Sequence, residues 1–376
     1  MRTPAAAPRA PLVDLFKVVA IQLIVWHHLA FYGPMSDVVY PLSPGLWNWL
    51  FDHGRLAVQV FLVMGGYLAA QSLQRRLMAT AALPPRKVLA QVWQRYLRLA
   101  KPYWLALLAA MLSAALARAL MDHPATPGVP TWPQIAAHAL MLHDVLDHDG
   151  LSAGVWYVAI DLQLYALFML LAGLATGLAR WTGVRLRAWL TFGCLALTAL
   201  SLYAFNLAPE LDMWGLYFFG AYGLGILAHG LSQHRTKWPG LLALSLLLIG
   251  ALVLAWRDRL VLAGLTAVLL ACWGRLQTLP LLSRPLQEGL VPYLAQRSYA
   301  LFLIHYPVCL AVNAAVTWLW PDDAVFNGLG LCAAWLLSMA AAEVLYLVEV
   351  PAARASLRTW PGRLGWLSFG RSTQQG

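Results

Sequence analysis

Charged residues are scarce in this chain of 376 residues: only 11% are Asp, Glu, Lys or Arg, whereas 61% are hydrophobic. A soluble domain usually has about a quarter of its residues charged. The composition therefore excludes an ordinary soluble enzyme and predicts a membrane protein. Several apolar stretches approach the ~20 residues that a helix needs to cross a bilayer. Short alternating segments, which a membrane-spanning β-barrel would require, are lacking.

Cysteine is rare as well. The four cysteines, Cys194, Cys272, Cys309 and Cys332, all lie in apolar stretches, and no two of them have a spacing typical of metal ligands. We interpret them as structural thiols and predict no metal site. The sequence also lacks an internal repeat, a nucleotide-binding loop, a low-complexity tract and an appended soluble domain, so function has to be sought inside the apolar part.

The apolar stretches predict an all-α, polytopic transmembrane bundle with about ten spans. An even number of spans places both termini on one side of the membrane. The predicted organisation is a terminal segment over residues 1–12, a transmembrane domain over 13–350 and a tail over 351–376. The predicted spans are 13–33, 55–74, 97–121, 154–178, 186–206, 211–230, 239–256, 259–276, 295–319 and 326–348.

The distribution of Lys and Arg tests this topology, because these residues gather in cytoplasmic loops. Most of the 26 basic residues fall on the side of the termini, with a dense group between Arg75 and Lys101. We therefore predict that both termini are cytoplasmic. The net charge of +10 then reflects orientation and contact with anionic lipid head groups, and we predict no nucleic-acid partner. The exceptions to the pattern are Arg55, Arg118, Arg257, Arg259 and, within the first span, Lys17.

Polar residues inside the spans indicate function, because each is costly in a bilayer unless it faces protein or water. Asp14, Lys17 and His28 lie within about 60° of one another on the first predicted helix. This face has a charged inner end and a titratable outer end, with His28 about 20 Å from Asp14. The alternative is that Asp14 and Lys17 form a local ion pair while the histidines pack at an interface.

The fourth span begins near Trp156 and carries Asp161 two turns further on, at a depth similar to that of His28. A carboxylate beside a histidine fixes the tautomer and stabilises the imidazolium, which suits a general base. Asp161 is thus a candidate to orient His28, and the alternative is that it caps a helix end.

Two later spans carry further candidates. In the ninth span, His305 lies seven residues after Ser298 and so nearly on the same helix face; the alternative for His305 is a hydrogen-bonded packing role. Glu349 precedes Pro351, which is expected to end the tenth span at the cytoplasmic surface. The alternative for Glu349 is an ion pair with a nearby arginine.

These residues belong to ordered motifs that resemble those of the acyltransferase-3 family of bacterial membrane acyltransferases. The resemblance covers nearly the whole chain and rests on the order and spacing of the motifs together. Lys17, Gln59, Gly65 and Asp161 stand where the family more often has Arg, Asp, Ser and Glu, and Lys lacks the bidentate fork of Arg. The motifs are Asp14 to Lys17 followed by His28; Val58 to Tyr67; Arg95 to Trp104; Trp156 with Asp161, Gln163 and Tyr165; Ser298 to Pro307; and Glu349 to Pro351.

The resemblance implies transfer of an acyl group, commonly acetyl from acetyl-CoA, to a hydroxyl of an envelope glycan or lipid-linked acceptor. It implies a multi-pass enzyme of the bacterial cytoplasmic (inner) membrane, with acyl-CoA as co-substrate and no bound cofactor. We predict that His28 activates the hydroxyl or relays the acyl group, that Asp161 orients it and that Lys17 assists from the donor side. The further candidates are Asp14, Tyr67, Trp156, Ser298, His305 and Glu349.

Coenzyme A is polyanionic and cytoplasmic, so Arg95, Arg98 and Lys101 near the inner surface are candidates to hold its phosphates. The alternative for each of them is ordinary positive-inside topology.

Two other classes of function fit the composition. A secondary transporter or exporter also uses buried His, Asp and Lys for proton or substrate coupling, and proton-driven uptake without consumption of an acyl donor would identify it. A catalytically silent subunit could organise an envelope complex, and intact complexes without donor turnover would identify that role.

Overall fold

The computed structural model describes residues 11–80, 83–234, 236–276 and 289–349. Within these ranges the chain is helical and forms no strand, which confirms the all-α prediction. The predicted tail over 351–376 and most of the predicted 1–12 segment lie outside the described residues, as do several basic residues used in the topology argument. These are Arg2, Arg9, Arg235, Arg284, Arg354, Arg358, Arg363 and Arg371.

Thirteen α-helices follow one another along the described ranges, and ten of them overlap the ten predicted spans. The remaining three, α2, α3 and α6, are short. The helices are α1 Pro11–Phe31, α2 Pro34–Val39, α3 Pro44–His53, α4 Ala57–Thr80, α5 Pro85–Leu120, α6 Trp132–Ala139, α7 Val155–Thr182, α8 Leu186–Tyr203, α9 Gly215–Ser232, α10 Trp238–Leu254, α11 Asp258–Leu276, α12 Leu290–Leu319 and α13 Ala324–Glu349.

Seven segments in the described ranges are long and apolar enough to cross a membrane: those containing α1, α4, α5, α7, α8, α12 and α13. The chain is therefore a multi-pass membrane protein. The other three predicted spans coincide with α9, α10 and α11, which have 18, 17 and 19 residues. The count of ten spans and the cytoplasmic side of the termini stay predictions.

The start of α5 corrects the predicted loop between Arg75 and Lys101. This helix begins at Pro85 rather than at residue 97 and runs for 36 residues, or ~54 Å. Its first turns consist mostly of Arg, Lys, Leu, Gln and Ala, which favour helix, and proline is well tolerated at the first helical position. The helix thus begins before the third predicted span, because the hydropathy pattern registers charge, whereas helix formation depends on propensity.

Helices α5 and α12 pack side by side and run in the same direction. The hydroxyl of Tyr299 donates to the carbonyl of Leu99 at 3.2 Å, and Tyr306 packs in one apolar cluster with Ala117. Residues farther along α5 thus contact residues farther along α12, as expected for parallel helices. Such parallel neighbours agree with the predicted topology, in which the third and ninth spans cross the membrane in the same sense.

Helix α7 begins deep within the bundle. Its N-cap, Gly154, has φ +79°, and a Cβ there would lie 2.8 Å from the ring of Phe302. Phe302 precedes the end of α12 by 17 residues, about 25 Å along that helix. The start of α7 therefore lies near the middle of α12 rather than near its C-terminal end. This depth decides which residues can contact Asp161, the first carboxylate of α7.

The segment over residues 121–153 folds back along α5. Tyr96 and Trp104 both donate to the carbonyl of Ala139, at 2.9 and 3.2 Å. The middle of this segment forms the short helix α6, and a capping box between Thr131 and Gln134 fixes its start.

A stacked histidine pair lies inside this segment. The ring centroids of His138 and His143 are 4.0 Å apart, and both side chains are fully buried. Neither ring nitrogen of His143 has a hydrogen-bond partner among the described residues, but Nε2 lies 3.5 Å from Oδ2 of Asp144. Burial, reinforced by the two neighbouring histidines, lowers the pKa of His143 from 6.5 to about 3. Burial, reinforced by Asp212, raises the pKa of Asp144 from 3.8 to about 6.

These two pKa shifts have opposite effects on stability between pH 6 and pH 4. A histidine whose pKa is lowered costs stability as the pH falls below 6.5, whereas a carboxyl whose pKa is raised adds stability as the pH falls below 6. We expect the two contributions of the wild type to offset each other. In Asp144→Asn the offset is lost, so the free energy of unfolding falls by about 1.4 kcal/mol per pH unit more than in the wild type.

Denaturant unfolding of the purified protein in detergent at pH 7, 6, 5 and 4 measures this difference. His143→Phe is the reciprocal variant and should become more stable than the wild type as the pH falls. Parallel curves for the wild type and Asp144→Asn would contradict the assignment.

Helices α4 and α9 are held in backbone contact by two glycines. A Cβ on Gly66 would lie 1.9 Å from the carbonyl oxygen of Tyr222, and a Cβ on Gly225 would lie 1.9 Å from that of Val63. Any side chain at either position has to push the helices apart. This contact brings Tyr222 beside the centre of α4, where it takes part in the site described below.

Gly66→Ala should therefore destabilise the protein by about 1–3 kcal/mol, since extra atoms in a packed core force the backbone to shift. Gly177 on α7 is the matched control because a Cβ there meets no atom within 4 Å. Gly177→Ala should be neutral or stabilise by up to about 1 kcal/mol, because alanine favours helix. Thermal unfolding in detergent measures both, and equal effects would contradict the close contact.

Candidate active site

Two histidines from distant parts of the sequence meet in the core. Nδ1 of His28 on α1 lies 2.6 Å from Nε2 of His305 on α12. Their ring centroids are 4.9 Å apart and the rings are nearly parallel. Both side chains are buried. The sequence marked each histidine as a candidate but did not predict that the two form a pair.

The partners of His305 fix the direction of this hydrogen bond. Nδ1 of His305 lies 3.0 Å from the carbonyl oxygen of Leu301, which can only accept, so Nδ1 carries the proton. Nε2 of a neutral His305 then has only its lone pair, and the bridging proton belongs to Nδ1 of His28. A neutral His28 is left with an unprotonated Nε2. Among the described residues no hydrogen-bond donor lies on that nitrogen, so it is available as a base.

The neighbouring histidine has a different environment. Nδ1 of His27 lies 3.0 Å from the carbonyl oxygen of Leu50 on α3, so that ring ties two helices together. Tyr32 instead lies edge-on to His28, with ring centroids 5.4 Å apart. His27 is therefore a structural residue, whereas His28 belongs to the candidate site.

In α1, Asp14 and Lys17 form the local ion pair that was given as the alternative interpretation of these two residues. Nζ of Lys17 lies 3.8 Å from Oδ1 of Asp14. Lys17 is eleven residues from His28 on the same helix, or about 16 Å along its axis. Any help that Lys17 gives to His28 has to come through substrate, since the two side chains do not touch.

The expectation that Asp161 orients His28 is not met. Both Nε and Nη2 of Arg95 donate to Oδ2 of Asp161, at 3.1 and 2.6 Å, and the guanidinium lies over the ring of Tyr165. The reason is the deep start of α7, which brings its first carboxylate to the depth of Arg95. The same contact gives Arg95 a carboxylate partner, and its role as a phosphate ligand stays a prediction.

Tyrosines surround this ion pair and link it to the histidines. Asp161 is close enough to act electrostatically on each of Tyr157, Tyr222 and Tyr299. The ring of Tyr157 also packs on Phe302, with centroids 5.4 Å apart, and Phe302 in turn packs on His305 at 6.2 Å. Sequence reasoning missed these aromatic residues. The one available signal was the four-residue spacing of Tyr157 and Asp161, which places them on one helix face.

The basic residues beyond Arg95 remain exposed. Arg98 and Lys101 are three residues apart on α5, so they share a face of the helix. Arg98 is also close enough to act electrostatically on Glu349 at the end of α13. That proximity favours the alternative given for Glu349, a partner of a nearby arginine.

The other candidates lie apart from the histidine pair. The hydroxyl of Tyr67 lies 3.4 Å from Oγ of Ser232, and Trp156 packs on Phe218. Ser298 donates to a carbonyl one turn earlier in its own helix, at 2.9 Å. Among the residues that the structure describes, no three His, Cys, Asp or Glu side chains are placed to hold a metal ion.

The site is thus a buried histidine pair inside a multi-pass helical bundle. The family is shown by comparison with known domains: a model described as an acyltransferase domain matches residues 11–345, and the chain belongs to the acyltransferase-3 family. It is therefore a membrane acyltransferase. No curated protein and no solved structure matches the chain.

Proposed function

We propose that this acyltransferase moves an acyl group, acetyl in the simplest case, from cytoplasmic acyl-CoA to a hydroxyl of an envelope glycan or lipid-linked acceptor. The proposed location is the bacterial inner membrane. The observation that carries the proposal is the directed hydrogen bond from His28 to His305, at 2.6 Å. It leaves Nε2 of His28 unprotonated, which is the form that a general base for a hydroxyl requires.

In the proposed reaction, Nε2 of His28 takes the proton of the acceptor hydroxyl while the hydroxyl oxygen attacks the thioester carbonyl. The carbon–sulfur bond then breaks, and the proton on Nε2 passes to the leaving thiolate. While His28 is protonated, its Nδ1–H donates to His305, which spreads the positive charge over a second ring. His305 thus holds the imidazole in orientation, as a carboxylate does in a hydrolase triad.

A covalent relay uses the same atoms. Nε2 of His28 attacks the thioester first, the thiolate leaves, and the acceptor hydroxyl then takes the acyl group from the imidazole. Rapid acid quenching after mixing with labelled acyl-CoA in the absence of acceptor separates the two routes, because only the relay leaves label on the protein.

On the donor side we propose Arg98 and Lys101, the two predicted phosphate ligands whose side chains remain exposed. In Arg98→Gln/Lys101→Gln, the KM for acyl-CoA should rise about fivefold to tenfold with little change in kcat, because two exposed ionic contacts are lost. Arg86→Gln/Lys87→Gln removes the same charge three turns earlier on α5 and should leave the KM unchanged. Equal effects of the two double variants would indicate that the charges serve topology alone.

Sealed membrane vesicles test the proposed function directly, because acyl-CoA is too polar to cross a bilayer. Inverted vesicles, which expose the cytoplasmic face, should transfer label from external acetyl-CoA to an envelope acceptor. Right-side-out vesicles should do so only when acetyl-CoA is loaded inside. Proton-driven uptake without consumption of any acyl donor would contradict the proposal and favour a transporter.

A further inference from the structure

A cavity of about 570 Å³ lies between the ends of α4, α8, α9 and α10, away from the histidine pair. Cavities of 300–1,000 Å³ commonly hold small ligands. The wall is mostly apolar, formed by residues such as Leu190, Leu227, Leu244 and, from α7, Phe168. Its volume and its wall fit a hydrocarbon chain.

The mouth of the cavity is polar and basic. Nη2 of Arg187 donates to Nε2 of His234 at 2.6 Å, and both side chains line the cavity. Arg75 and Arg187 are also the two cations that act electrostatically on His229, a third polar residue of the lining. No described residue of the lining is acidic. The mouth therefore carries positive charge without a described carboxylate in the lining to balance it.

Exposed tryptophans place this mouth at the level of lipid head groups. Trp181, six residues before Arg187, is 84% exposed, and Trp238, four residues after His234, is 69% exposed. Tryptophan concentrates at membrane–water interfaces, where its ring lies among the head groups. The basic mouth thus lies where a phosphate of the adjacent leaflet would be, and the apolar wall extends from it into the bundle.

We propose that this cavity binds one anionic phospholipid, with its phosphate on Arg187 and His234 and one acyl chain along the apolar wall. A zwitterionic lipid brings a cation as well as a phosphate, and at this mouth the cation would meet further positive charge. The acyl donor fits less well, because its thioester, between head and chain, would be held at the mouth, away from His28.

Photo-crosslinking of the full chain in phosphatidylcholine nanodiscs tests the proposal. The probes are phosphatidylglycerol and phosphatidylcholine, each with a diazirine in one acyl chain and each added at the same fraction. Crosslinks to the cavity wall should be about fivefold more abundant with phosphatidylglycerol, the difference that one cation near the membrane surface makes. Arg187→Gln should reduce that preference, whereas Arg180→Gln, an exposed arginine outside the cavity, should not.

His234→Gln provides a second variant in case Arg187→Gln does not fold, and it should also reduce the preference. Equal crosslinking of the wall by both probes would overturn the proposal, since the cavity would then take bulk lipid. Full competition by a free fatty acid at equal concentration would also overturn it, because the phosphate would then not be needed. Since the readout needs no acyl transfer, its outcome is independent of the proposed reaction.

Discussion

His28→Ala should lower acyl transfer by about 10²–10⁴-fold, the usual contribution of a positioned acid–base group. Only the ring of His305 then remains of the buried pair, and no described side chain is placed to act as a base in place of Nε2 of His28. Transfer of labelled acetyl from acetyl-CoA in membranes containing equal amounts of each variant measures the loss. Wild-type rates in His28→Ala would remove this histidine from the mechanism.

His27→Ala is the matched control, one position away. It removes the hydrogen bond to the carbonyl of Leu50, so it should cost about 1 kcal/mol of stability and leave transfer nearly intact. His305→Ala should fall between these two variants, because it removes the partner that orients His28 and leaves the base itself. A conservative His305→Gln, whose amide oxygen can accept the same hydrogen bond, should recover part of that loss.

Breaking the Arg95–Asp161 ion pair should have the largest effect on stability. Removal of one partner of a buried pair usually costs 3–5 kcal/mol, and because Arg95 is 31% exposed we expect about 3 kcal/mol. Arg95→Gln should destabilise more than Asp161→Asn, because the carboxylate that it leaves unpaired is only 10% exposed and has little access to water. Thermal unfolding in detergent measures both variants.

The double variant Arg95→Gln/Asp161→Asn is the decisive control. Two neutral amides of similar size can hydrogen-bond to each other, so the double variant should recover much of the stability lost by Arg95→Gln. Strictly additive losses would show that the two side chains do not depend on each other. Transfer activity in a stable double variant would then show whether the charges also matter to the reaction.

The sequence predicted the helices well because apolar runs and helix propensity are local properties. It failed where propensity and hydropathy diverge, at the start of α5, whose first turns are helical and charged together. The depth of α7 was also beyond sequence reasoning. That depth depends on Gly154 fitting against Phe302, residues far apart in the chain, and no spacing within one helix encodes it.

The site residues were found individually and their partners were not. His28, Asp161 and His305 could be identified from the sequence, because a polar side chain buried in a membrane bundle is costly unless it has a hydrogen-bond or ion-pair partner. A spacing rule can relate residues on one helix, as it related Asp14 to Lys17. Which helices meet is decided by packing of the whole bundle, so the sequence suggested an aspartate for His28 where the structure supplies a histidine.

The positions of the two histidines in the sequence also determine when, during synthesis of the chain, the pair can form. Its two rings are 277 residues apart, and at about 5–20 residues per second the ribosome needs roughly 14–55 s to make the chain between them. During that interval His28 is already within the nascent protein, but the imidazole that orients it has not been synthesised. An unfinished chain in the bilayer therefore lacks the complete pair, and under the proposed mechanism full activity requires α12 to be in place.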